Sequence, residues 1–168
     1  MSNTTPCEFS PRARKSFAKI PRIIDKLHHS TRPLIIGPWL SEVGFEILYW
    51  LPFLNWMKTY RHFDPERLVI VSRGGVASWY QHIGARYIDL FDFFTPDQLQ
   101  KRNEERIAEG QMKQRALTEF DREVVKLVKV AIERRDAELF HPMYMYRLFY
   151  PYWKSRTSIN LIESFASF

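Results

Sequence analysis

"PLIIGPWLSEVGFEILYWLPFL" (residues 33–54) decides the fold. Residues 33–37 form a short apolar, β-branched run that ends on Gly-Pro, the pattern of a buried strand. Beyond the loop, Ile47, Leu48, Trp50, Leu51 and Leu54 recur at helical spacing, so a helix is predicted over 43–60. Pro52 lies inside that pattern and predicts a kink or a helix in two parts.

Downstream the alternation repeats. "PERLVIVSRGG" (65–75) reads as a second buried strand closing on a Gly-Gly turn. "VASWYQHIGA" (76–85) reads as a short helix ending at Gly84, and "RYIDLFDFF" (86–94) as a third strand. Strand and helix alternating at this spacing predict parallel β-α-β units with right-handed crossovers. The expected fold is therefore α/β, a small parallel Rossmann-like sheet with flanking helices. From 95 to 168 the chain is expected to be mainly helical. Thr95-Pro96 opens a densely charged and solvated helix, and Leu117, Phe120, Val124, Leu127, Val128 and Ala131 make the apolar stripe of another. Two parts are expected: a basic segment over 1–32 and one α/β domain over 33–168. Three strands are few for a doubly wound sheet, which suits one half of a two-domain protein.

Composition sets the broad class. The 168 residues are 45% hydrophobic and 26% charged, as in an ordinary globular protein, and no apolar run approaches the roughly 20 residues of a membrane span. The first 19 residues have no apolar central region and so do not read as a secretory signal. Cys7 is the single cysteine, which excludes an internal disulfide and suits a reducing, cytoplasmic setting. The net charge is +6, and residues 11–32 carry all of it, with seven Lys or Arg against Asp25 alone. Phosphates, an anionic membrane face or an acidic partner suit such a segment; a solvated helix with a basic face suits it equally. No nucleic-acid-binding motif accompanies the charge. His28, His29 and His141 lack partners at metal-ligand spacing, so no metal is expected.

The first strand–helix junction is the place where open α/β sheets bind ligands. There Gly37 and Gly44 permit close approach of a ligand to the backbone, and a helix N-terminus offers free N–H groups. Glu42 and Glu46, at i and i+4, share one face if the helix begins by Glu42. Their repulsion raises the cost of ionising both, which tunes one carboxyl toward general-base duty, while the helix dipole opposes the shift. Good capping chemistry, with Ser41 as cap, accounts for the same residues without catalysis. Arg73 before Gly74-Gly75 is a candidate for an acceptor phosphate or carboxylate, and Trp39 and Trp79 are candidate sugar-stacking platforms.

"LIIGPWLSEVGFEILYWLPFLNWM" (34–57), then "RLVIVSRGG" and "YIDLFDFF", resembles the N-terminal, acceptor-side domain of GT-B-fold glycosyltransferases. It is distantly similar to heptosyltransferases, in which a strand, a Gly-acid pair and an L-P-x-L helix follow in this order. The resemblance covers residues 33–94. It implies inverting sugar transfer from a nucleotide-sugar to a carbohydrate acceptor, with no further cofactor. Counted back from "LPFL", the family's proton-accepting acid falls on Glu46. Phe45 separates that residue from its glycine here, so Glu42 stays a rival for the role. It also implies that a second domain or partner subunit holds the donor, and that this chain alone has little or no transferase activity. Catalysis is thus expected of Glu46 or Glu42, and substrate contact of Gly37, Trp39, Gly44, Arg73, Gly74 and Trp79. The rival expectation is a non-enzymatic α/β module. It would dock on anionic membrane at the inner face, or on an acidic partner, through the basic segment and the "MYMYRLFYPYWKSR" cluster (143–156).

Overall fold

The computed structural model describes residues 11–154 and 157–168, with side chains from Phe17 onward; Cys7 lies outside the described residues. In chain order the elements are α1 (Pro11–His29), β1 (Leu34–Ile36), α2 (Val43–Phe45), a π-helical turn (Glu46–Trp50) and α3 (Leu51–Tyr60). Then follow β2 (Leu68–Ser72), α4 (Ala77–Tyr80), β3 (Arg86–Asp89), α5 (Pro96–Ala108) and α6 (Glu119–Ala131). β4 (Glu138–Phe140), α7 (Met143–Trp153) and α8 (Asn160–Phe165) close the chain.

The four strands form one all-parallel sheet in the order β3-β2-β1-β4. The chain is therefore α/β with a small Rossmann-like sheet flanked by helices. Every residue of β1 and β2 is buried, because helices cover both faces. Alternation along the strands sorts the core. Leu34, Ile36, Leu68, Ile70 and Phe140 pack with α1, α3, α7 and α8 on one face. Ile35, Val69, Val71 and Ile88 pack with Leu99 of α5 and Phe120, Val124 and Val128 of α6 on the other. Each such aliphatic side chain contributes about 1.5–3 kcal/mol by leaving water.

Four local features differ from the sequence expectations. β4 lies within the stretch predicted to be helical; at three residues it is too short for a period to show. The third strand, expected over 86–94, stops at Asp89, and Leu90–Asp92 turn as a 3₁₀ helix capped by the Asp89 side chain. The helix predicted over 43–60 changes gauge at the π turn, where the Leu51 N–H donates to the Glu46 carbonyl five residues back, and Pro52 then opens α3. Finally, the aromatic cluster is α7, where Met145, Tyr146, Leu148 and Phe149 are wholly buried in the core while Tyr144, Tyr150, Tyr152 and Trp153 are half-buried. No described helix is long and apolar enough to cross a membrane.

Candidate functional site

The order β3-β2-β1-β4 reverses direction between β1 and β4, which makes that edge the topological switch point. The loop after β1 lies there and is held by four side chains. Gln114 Nε2 donates to the Pro38 carbonyl (2.9 Å) and its Oε1 accepts from the Leu40 N–H (2.8 Å). Arg73 donates to the carbonyls of Trp39 (3.2 Å) and Ser41. Arg106 Nη2 donates to the Leu40 carbonyl (2.6 Å), and the Tyr146 hydroxyl donates to Ser41 Oγ (2.7 Å). Arg106 is only 4% exposed, so its charge is solvated by backbone oxygens in place of water.

Glu46 points inward from the π turn and is 1% exposed. Its Oε1 accepts from Ser72 Oγ (2.6 Å) at the end of β2 and from the Tyr80 hydroxyl on α4. Burial raises the Glu46 pKa; the hydrogen bonds from Ser72 and Tyr80 and the charge of Arg73 only partly oppose it. The Tyr80 hydroxyl is pushed up as well, by burial and by the adjacent Glu46. Tyr80 and Tyr87 also line a hollow of about 290 Å³ with Ala77, Gln81, Gly84 and Ala85.

Glu42 has a different environment. It is the N-cap of α2, with extended backbone (φ −68°, ψ 140°) and its carbonyl accepting the Glu46 N–H (3.2 Å), but its side chain turns outward while that of Glu46 turns in. Its half-exposed carboxylate pairs with Lys113, which also lies over the Phe45 ring.

The remaining predicted contacts are distributed as follows. Gly37 (φ +124°) is buried, and a Cβ there would stand 2.4 Å from the Val71 carbonyl oxygen, so glycine is required by close backbone packing. Trp39 is wholly buried and stacked between Trp50 and Tyr146 at 5.9 Å from each, so it packs the core and offers no open ring face for a sugar. Gly74 and Gly75, both at positive φ, direct their N–H groups to the Asp89 carboxylate (3.3 and 2.8 Å), so this anion cradle is filled from within the chain. Trp79 is half-buried against the core on α4. Gly44 is exposed with open space above it, flanked by the exposed Val43, Ile47 and Leu48.

Sequence reasoning missed a second buried set. His141 Nδ1 accepts from the Met143 N–H (3.1 Å), which leaves the ring proton on Nε2, 3.0 Å from Asp121 Oδ1. Gln114 donates to the same oxygen (3.0 Å), and the Thr118 N–H (2.7 Å) and hydroxyl (2.6 Å) donate to Oδ2. The available signal was Thr118 with an acid three positions on, a capping box at the start of α6. No group of three or more His, Asp, Glu or Cys among the described residues could hold a metal ion. Comparison with family models, curated proteins and solved structures finds no match.

Proposed function

We propose that the chain is the acceptor-binding domain of a glycosyltransferase-like enzyme, with the nucleotide-sugar held by a second domain or subunit. One observation carries it: Glu46, a buried carboxyl with raised pKa, sits at the carboxyl end of a parallel sheet beside a hollow lined by its own partner Tyr80. In the reaction the acceptor hydroxyl oxygen attacks the anomeric carbon as the bond to the diphosphate breaks. Its proton passes to Glu46, the nucleoside diphosphate leaves with the bonding electrons, and the anomeric configuration inverts. Ser72 and Tyr80 orient the carboxylate, and Arg73 fixes the loop that borders it. At 1% exposure Glu46 meets an acceptor only after Tyr80 or the exposed Val43–Leu48 turn gives way. Gly44, open to solvent, marks that approach.

An immobilised glycan set tests this, with Gly44→Trp beside the parent chain. Capture of a defined oligosaccharide by the parent and its loss in Gly44→Trp, at unchanged circular dichroism, supports the reading. Retention of no glycan overturns it. In the assembly with its donor domain, Glu46→Gln abolishes transfer with folding kept; near-normal turnover moves the base elsewhere.

A second reading has its own observation. On α1, Ile20, Ile24 and Leu27 are buried whereas Lys19, Arg22 and Lys26 are exposed and the one acid, Asp25, is paired with Arg61, an outer face of net positive charge suited to an anionic membrane. Because the apolar face is already covered, sedimentation with anionic vesicles must vanish in high salt; salt-resistant sedimentation contradicts it.

A further inference from the structure

The sheet ends at β4, whose described pairing is with β1 alone. There α6 and β4 bound a groove of about 510 Å³, inside the roughly 300–1,000 Å³ range of small-molecule sites. Leu117, Val125, Val130 and Leu139 make its apolar lining, and Val130 is 67% exposed. Arg122, Lys126, Lys129 and Arg135 supply the polar lining, and no acid joins them. Among the described residues Arg122, Lys126 and Arg135 form no ion pair, while Lys129 Nζ donates to the Arg135 carbonyl (3.2 Å). The groove runs on into a second hollow of about 530 Å³ along the 133–136 turn, where Asp136 is already paired with Arg134.

Apolar side chains and unpaired cations at one groove select an occupant that is apolar along its length and anionic at its end. An added peptide strand fits poorly. In the three-residue β4, Glu138 N–H and Phe140 C=O both bond toward β1, which leaves Leu139 alone to present its backbone outward. A bilayer face fits poorly too, since a concave groove admits one chain and not a plane.

We propose that this groove binds a single-chain anionic amphiphile, an acyl chain ending in a carboxylate or phosphate. The chain lies along Leu117, Val125, Val130 and Leu139. Arg122 and Lys126, one helical turn apart on α6, hold the head group. This site is separate from the proposed acceptor site and stands whether or not that site binds sugar.

The probe is dansylated undecanoic acid, titrated into the full chain and followed by fluorescence. Saturable binding is expected, displaced by oleate and by dodecyl phosphate, whose relative potency tells a carboxylate head from a phosphate head. Oleyl alcohol, lacking charge, is expected to displace far less. Arg122→Glu with Lys126→Glu, both at exposed positions, is expected to weaken probe binding on the order of tenfold or more at unchanged circular dichroism. Val130→Glu is expected to do the same, and Lys101→Glu on α5 to leave it unaltered. Absence of saturable binding, equal affinity in the variants, or equal displacement by oleyl alcohol overturns the proposal. So does displacement by an acidic peptide at lower concentration than oleate, or binding to anionic vesicles with none to the free probe.

Discussion

Burial pushes the Glu46 carboxyl to a higher pKa in the folded chain than in the unfolded one, against the donors Ser72 and Tyr80. Between the two values the folded state binds more protons, so stability declines as pH rises through that interval and levels off above it. Glu46→Gln removes the decline while its carbonyl oxygen still accepts from both hydroxyls. Thermal midpoints measured across the carboxylate range and up to neutrality should therefore diverge, with the variant gaining on the parent as pH rises; parallel curves would show that Glu46 carries no such shift. Asp121 runs the other way. Burial alone would raise its pKa, but the contact with His141 and the two Thr118 donors outweigh burial and hold it below the ordinary value. Its contribution is present above the unfolded carboxylate range and lost as pH falls through the folded value. Asp121→Asn turns an amide N–H₂ toward existing donors and should cost about 2–4 kcal/mol in urea denaturation at neutral pH. A loss under about 1 kcal/mol would mean that the network is not satisfied as described.

At the scale of elements, the junction between β1 and its loop is the tightest point. Gly37 combines φ +124° with a virtual Cβ 2.4 Å from the Val71 oxygen, which already accepts from the Trp39 N–H at 3.0 Å. Gly37→Ala should cost about 2–4 kcal/mol, from backbone strain and overpacking together. Gly44→Ala is its counterpart. With nothing within 4 Å and a helical backbone, it should be neutral or stabilising by up to about 1 kcal/mol. Denaturation midpoints that move alike in the two variants would refute this contrast. The π turn gives another junction its meaning: the Leu51 N–H bonds five residues back to Glu46, Pro52 follows in the first turn of α3, and Glu46 turns inward while Ile47 and Leu48 face out.

For the whole molecule, an aromatic chain ties the layers together. Trp39 stacks on Trp50, Trp50 on Phe140, Phe140 on Phe53, and Phe53 meets Phe149 edge-on at 5.9 Å, so loop, π turn, sheet, α3 and α7 share one packing unit. Phe149→Ala should cost about 3–5 kcal/mol and flatten the near-ultraviolet circular dichroism, whereas Leu48→Ser on the exposed turn should change stability little. A small loss for Phe149→Ala would place α7 outside the core. The same packing takes up the inner half of the aromatic cluster on α7. Tyr, Trp and Phe beside Arg and Lys suit a headgroup interface and a core helix equally, and only the position of the sheet chooses.

Local patterns were enough for the α/β class, for the presence of the first three strands and for the cap at Thr95. Apolar period, cap and turn chemistry act within a few residues, so sequence alone carries them. Tertiary structure alone decided that Glu46 turns in and Glu42 out, that Arg73 and Gly74 serve the chain's own loop and carboxylate, and that residues 138–140 complete the sheet. Each of those outcomes depends on a partner well separated along the chain: Ser72 for Glu46, Lys113 for Glu42, Asp89 for Gly74, β1 for β4. A buried polar group takes whichever donor or acceptor the packed layers bring to it, because leaving it unpaired away from water costs more than any local preference supplies.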